Sequence, residues 1–467
     1  MAKKRQTTVG RIADDALAFT AGRDAELDLR LVGADCLGSA AHVTMLSRMP
    51  VKPRLFSERE RRAVVAELAR IAQDAARGRF RITLEDQDVH LAVERRLTAR
   101  LGDLGKRIHT GRSRNDQAAL DIRLYARGEL LETIAETARL ASALIRLGRR
   151  HKRAPMVGRS HMQPAMPSSV GLWATSFAES LSDDLALLRC AYDLNDRNPL
   201  GAAAGFGVPL PIDRALTTRL LGFRRPVHNV IHANNARGKN ESVILSALAQ
   251  VMATLSRLAQ DLMIYTMPEF DYFRLPPEYC TGSSIMPQKN NPDVLELVRA
   301  RASSVSSCLF RVLDVIKGLP GGYSRDLQET KEPFMEGLDS TRGCLRILVP
   351  VIEGLEVRRA SLLRAFTPGV FATDHALNLA AGGMPFRDAY RHVKEHIAEL
   401  KNMNPMRAIM AKRHLGAPAG LDFALLARPV REAARFAERE RRRCGMVYSR
   451  LLGGPSPHPP PDTASGD

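Results

Sequence analysis

Residues Glu241–Tyr265 read ESVILSALAQVMATLSRLAQDLMIY. Apolar residues recur at spacings of three and four, the period of one face of an α-helix. Neither Gly nor Pro interrupts the stretch. At 1.5 Å per residue it spans ~37 Å. A helix of that length has to bury its apolar stripe against other long helices, as in a bundle. The same period runs through Glu60–Ala76, Ala126–His151 and Val170–Leu194. No convincing strand alternation and no repeat of 20–50 residues are found. The expected fold class is therefore all-α.

The 467 residues allow about three domains of ordinary size. Hydrophobic residues make up 45% and charged residues 26%, as in a globular protein. No run of about 18 apolar residues predicts a membrane span. No apolar signal core follows the basic start MAKKRQTTVGR. Six scattered cysteines show no CxxC spacing, so neither a zinc site nor a disulfide framework is expected. Reduced thiols in a cytoplasmic protein are the reading that follows. The net charge of +18 invites a nucleic-acid partner. Most Arg residues, however, interleave with Glu along helical runs, as on solvated faces, and no nucleic-acid motif is present. A generally basic proteome, or steering of an anionic small molecule, accounts for the charge without nucleic acid. Residues 1–18 read as a loose basic arm, and the Pro/Gly/Ser-rich residues 453–467 as a disordered tail.

Five polar segments separate the helical runs: LEDQDVH (84–90), HTGRSRNDQ (109–117), GRSHMQPAMP (158–167), TGSSIMPQKNNPD (281–293) and GGYSRDLQETKE (321–332). Each has a bland reading. Ser113 or Asn115 can cap a helix, a lone histidine such as His90 or His161 is usually structural, and 281–293 can be a turn-rich linker. Each also has a chemical reading. Arg forks suit carboxylates, and a serine becomes a base when a cation such as Lys289 lies near.

Taken together, the segments resemble the signature regions of the fumarase/aspartase superfamily and, within it, of the argininosuccinate lyase family. TGSSIMPQKNNPD is similar to the superfamily's GSSxMPxKxNP, with Gln288 matching the argininosuccinate lyase form. HTGRSRNDQ is that family's most specific motif and is intact. SHMQPAMP resembles THLQxAQP, and YSRDLQETKE resembles YNxDLQExKE. GSAAHVTML (38–46), ERRLT (94–98), NPLG (198–201), IDR (212–214) and MPFRDA (384–389) also fit.

The resemblance implies a three-domain, largely helical fold with a long central bundle. The expected boundaries are 1–108, 109–360 and 361–452, followed by the tail. It implies a homotetramer whose active sites draw on three subunits. The implied chemistry is a reversible elimination that releases fumarate without metal or organic cofactor. It assigns Ser283 as the base, with Gly282 as hinge of a mobile loop. Lys289 and Asn291 would stabilise the serine oxyanion and a substrate carboxylate. Ser113, Arg114, Asn115 and Ser160 become substrate ligands, and His161 is associated with proton delivery to the leaving nitrogen. His90, Tyr323, Gln328 and Lys331 would hold the leaving group or close the site.

Departures cluster on the leaving-group half. The family's early binding serine falls at Asp24 or beside Gly22. GSGALAGT is replaced by GAAAGFGV (201–208). The usual Ser-x-Arg-Asp reads Gly238, Lys239, Asn240, Glu241, and Thr330 and Tyr390 replace Asp and His. A lyase acting on another N-substituted aspartate is thus the nearest rival. A catalytically silent structural paralogue is the alternative of another class.

Overall fold

The computed structural model describes residues 4–7 and 10–453. Among them, nine helices of 13 residues or more carry the architecture: α1 (Val32–Arg48), α2 (Glu58–Ala76), α3 (Val89–Leu101), α4 (Arg114–Arg150), α5 (Val170–Asn195), α6 (Lys239–Thr266), α7 (Asp293–Ile316), α8 (Lys331–Glu353) and α9 (Phe423–Leu452). Strand content is confined to short two-stranded ribbons, so the all-α expectation holds.

Five of these helices, α4 to α8, form the central bundle. α4 packs along α5 and α8, and α6 packs on α5, α7 and α8. Residues Ile244, Leu248, Val251, Leu255, Leu258 and Leu262 of α6 are fully buried, at the spacing read from the sequence. α6 is long and apolar enough to cross a membrane, yet 61% of its most apolar window is buried inside the protein, which identifies it as a core helix. α7 differs. It buries a narrow stripe of Leu295, Val298, Val305, Cys308 and Val312 and leaves Leu297, Phe310 and Leu313 exposed. α9 returns from the C-terminal region to pack on α4, α5, α1 and α2.

Two features depart from the sequence reading. Within the predicted loose arm, the described residues form an antiparallel ribbon of Lys4–Thr7 with Gly10–Ala13, followed by a helix over Asp14–Ala21. The predicted tail 453–467 falls, beyond Gly453, outside the described residues. The segment 158–167 is no plain loop: β1 (Pro155–Ser160) and β2 (Gln163–Ser169) pair as a hairpin. Alternation was hard to see there because Gly, Pro and Ser dilute it.

Gly238 caps α6 at φ +76°, ψ −47°, a region that strains any residue with a side chain. A Cβ there would also overlap the Ile316 side chain. Its backbone N–H donates to Glu241 Oε2 at 2.9 Å, closing the first turn. Gly238→Ala is expected to lower stability by about 1–3 kcal/mol. The denaturation midpoint, compared with wild type, checks this.

Candidate active site

The starts of four helices meet at one polar cavity of about 160 Å³. His90 comes from the first turn of α3 and Asn115 from the first turn of α4. Arg237 precedes α6, and Lys331 begins α8. The positive ends of four helix dipoles therefore bear on one space, which favours an anion. Local chemistry fixes each start. Asp88 caps α3, accepting from Leu91 N–H at 3.0 Å. Ser113 caps α4, accepting from Asn115 N–H at 3.2 Å. Asp116 then accepts from Ser113 N–H at 3.0 Å with one oxygen, and from Gly201 and Ala203 N–H at 3.0 and 2.9 Å with the other. HTGRSRNDQ thus anchors the altered 201–208 loop.

Six predicted residues line this cavity: His90, Arg114, Asn115, Tyr323, Gln328 and Lys331. Asp24, Asp28, Gln87, Asp88, Ala118, Arg237 and Arg325 complete it. Of these, Asp24 was marked in the sequence only as a departure, and Asp28 and Arg237 were passed over. The one available signal was spacing: Asp24 and Asp28 stand four apart, on one helical face.

The charges are mostly paired. Lys331 Nζ bonds Asp24 Oδ1 at 2.9 Å and also bonds Asp28. Asp28 accepts from Val89 N–H at 3.2 Å with its second oxygen. Arg114 pairs with Asp88. Arg325 and Gln328 both donate to the Thr20 carbonyl, at 2.8 and 3.0 Å. Burial raises the Asp24 carboxyl above its ordinary range, against the opposing charge of Lys331.

Behind the cavity lies a buried ionic layer. His90 Nδ1 meets Asp35 Oδ2 at 2.7 Å and Asp121 Oδ2 at 3.5 Å. Burial drives Asp121 well above the carboxylate range, helped by the charges of Asp35 and Asp28. Burial pushes Asp35 the same way, but the hydrogen bond and charge of His90 and the charge of Arg112 outweigh it and hold it low. Burial disfavours the His90 imidazolium, but the Asp88 charge and the Asp35 bond reverse that and raise it. The three side chains offer ligand-type atoms within 4.8 Å of one another. The buried guanidinium of Arg112, which donates to Ser39 Oγ at 2.9 Å, already supplies positive charge to them.

The remaining predicted residues stand outside this cavity. Ser160 and His161 are exposed on the β1–β2 hairpin. Ser160 pairs with Gln163, so His161 and Met162 form a two-residue turn. Both have positive φ, 52° and 63°, as a type I′ turn demands and as Asn-Gly would adopt more easily. Strain of this kind, of order 1–3 kcal/mol per residue, gathers at functional sites. Arg159 steadies the turn by donating to the Met162 carbonyl at 3.1 Å and stacking over Phe270. Ser283, Lys289 and Asn291 belong to a second ribbon, β3 (Thr281–Gly282) with β4 (Asn290–Asn291). Ile285 at its tip is 83% exposed. Ser283 Oγ accepts from the backbone N–H of Ile285 and Met286 at 3.3 and 3.1 Å. Gly282 has no positive φ, and an added Cβ would meet nothing within 4 Å, so its conformation here does not require glycine.

A family model described as "Lyase" matches residues 13–306. The argininosuccinate lyase of Sorangium cellulosum is 46% identical over 419 residues, covering 90% of this chain and 96% of that protein. In three dimensions the chain is similar to EDDS lyase in complex with formate, with TM-score 0.78 and 21% identity over 94% of this chain and 93% of the other. It is also similar to the class II fumarase of Schistosoma mansoni, with TM-score 0.69 and 16% identity over 89% and 100%. Fold and family model together define a lyase of the fumarase/aspartase class. Within that class the chain belongs to the argininosuccinate lyase family.

The raised His90 carries a pH consequence. A group whose folded pKa lies above its unfolded value binds its proton more tightly when folded. Its stabilisation is complete below ~6.5, the ordinary histidine value, and is lost as pH rises through the raised folded value. Wild-type Tm should therefore fall more steeply above pH ~6.5 than that of His90→Gln, as measured by thermal unfolding across that range.

Proposed function

We propose that the chain is an argininosuccinate lyase, splitting argininosuccinate into arginine and fumarate by general base catalysis. The observation that carries this is the 46% identity to a curated argininosuccinate lyase over nearly the full length of both chains. The cavity supports it, because it combines anion-favouring helix ends with paired carboxylates and cations suited to a zwitterionic leaving group.

In this reading Ser283 takes the proton from the carbon beside a substrate carboxylate. The aci-carboxylate that forms needs preorganised donors, which Lys289, Asn291, Ser113 and Ser160 supply. The two N–H groups aimed at Ser283 Oγ favour its alkoxide. As the carbanion collapses, the C–N bond of the neighbouring carbon breaks and the electron pair leaves on nitrogen, which takes a proton delivered by way of His161. Ser283 afterwards gives up its proton. The cavity of His90, Arg114, Asn115, Tyr323, Gln328 and Lys331 receives the departing arginine.

Assembly completes the site. The exposed ribbons carrying His161 and Ser283 are brought to the cavities of neighbouring copies in a homotetramer, where five central helices per chain make a twenty-helix core. The apolar residues Leu297, Phe310 and Leu313, left uncovered on α7, support such an assembly. The six free thiols fit a cytoplasmic setting. The exchange of the family serine for Asp24, paired here to Lys331, keeps a second reading in play: the same fumarate-releasing chemistry on another N-substituted aspartate.

Light scattering should give four times the chain mass of 51.5 kDa, and a fully active monomer would refute the shared site. In that assembled form, Ser283→Ala is expected to lower kcat by ~10²–10⁴-fold while KM stays near normal, followed by the ultraviolet absorbance of fumarate.

A further inference from the structure

Among the cavity's cations, Arg237 stands apart. Lys331 is held between Asp24 and Asp28, Arg114 by Asp88, and Arg325 by the Thr20 carbonyl. Arg237 is buried, its residue exposure being 8%. Its Nε is sealed from solvent without a partner. No hydrogen bond or ion pair to its side chain is found among the described residues. Buried guanidinium nitrogens are ordinarily hydrogen-bonded, since burial without a partner is unfavourable.

Two carboxylates lie near enough for Arg237 to act on them by charge alone, Asp24 and Glu241. Both have other hydrogen-bond partners. Asp24 bonds Lys331, and Glu241 accepts from Gly238 N–H at 2.9 Å. The arrangement has a consequence for Lys331. Bonded to two carboxylates, its ammonium is poorly placed to hold a third on a ligand. Arg237 is free, sits at the start of α6, and offers the planar fork that grips a carboxylate through two parallel bonds.

We propose that Arg237 is a specificity-determining residue that binds the carboxylate of the leaving amine, so that the enzyme selects N-substituted aspartates whose leaving group is itself an amino acid. The Asp24–Lys331–Asp28 triad then faces the ammonium end of that same leaving group. This rests on the reading of the cavity as the leaving-group pocket.

The test measures binding and turnover separately on the full-length protein. Thermal shift is recorded with L-arginine, L-ornithine and L-lysine, each beside its decarboxylated amine. At least one amino acid should stabilise the wild type more than its amine does. Arg237→Gln should abolish that difference and Arg237→Lys should restore part of it. Equal shifts within every pair, or no shift with any amino acid, overturn the proposal without requiring that a variant fold. In turnover of argininosuccinate, Arg237→Gln should raise KM by ~10–100-fold with a smaller change in kcat. An unchanged KM in a folded variant also overturns it. Failure of the wild type to release fumarate from argininosuccinate sinks the proposed reaction instead. The paired binding data still decide the role of Arg237.

Discussion

The constraint on which the site depends is the convergence of four helix starts on one small space. α3, α4, α6 and α8 each begin beside the cavity. A helix start ordinarily leaves backbone N–H groups that the helix cannot satisfy, although α8 continues a 3-10 turn whose Gln328 carbonyl accepts from Lys331 N–H. Ser113, Asp88 and Glu241 meet some of them with side-chain oxygens. The positive field of those starts adds to a set of side chains that is itself net positive, three carboxylates, Asp24, Asp28 and Asp88, against four cations, so the space favours an anion. The polar composition of the connecting segments follows from this, because a connection that delivers a helix start to a buried cavity cannot be apolar.

The same crowding explains the layer behind. Asp35, His90 and Asp121 sit in a region too buried to hydrate two carboxylates. Burial therefore raises the Asp121 carboxyl while the His90 bond holds Asp35 low, and the neighbouring carboxylates raise the histidine between them. The His90 ring is thereby fixed by a carboxylate on one nitrogen while the residue lines the cavity. Its orientation is set from behind, which is what a binding wall needs if it is not to rearrange when a ligand enters.

Much of this was legible in the sequence, and what was missed has physical reasons. The long helices announced themselves through the spacing of Ile244, Leu248, Val251 and Leu255, because a core helix must place its apolar residues on one stripe. Six cavity residues were identified through the resemblance of their segments to the argininosuccinate lyase signature regions, since composition alone left a cap or turn reading open at each. Arg237 was invisible for the opposite reason. It stands in a chain with 69 Lys and Arg residues, and nothing local marks one arginine as buried and unpaired. The β1–β2 hairpin was hidden because its pairing is backbone-driven and its turn, His161-Met162, lacks the Gly or Asn that would signal a tight reversal.

The division of the predicted residues between one cavity and two exposed ribbons has a chemical logic. The cavity is built within a single chain from helix starts locked by ion pairs, so it is rigid and suits recognition. Ser283 and His161, the proposed base and proton-delivering group, lie instead at exposed tips: Ile285 is 83% exposed, and His161 sits in a strained turn at the end of a hairpin whose base is buried. Tips so exposed are steadied when another surface covers them. If that surface is another copy of the chain, the rigid pocket selects the leaving amine first, and the base acts where assembly has already excluded water. The Ser283 alkoxide of the proposed mechanism, a stronger base than any neutral side chain, then has to persist only inside a completed site. An isolated chain would leave the ribbon bearing Ser283 open to water, where a serine hydroxyl has little reason to give up its proton.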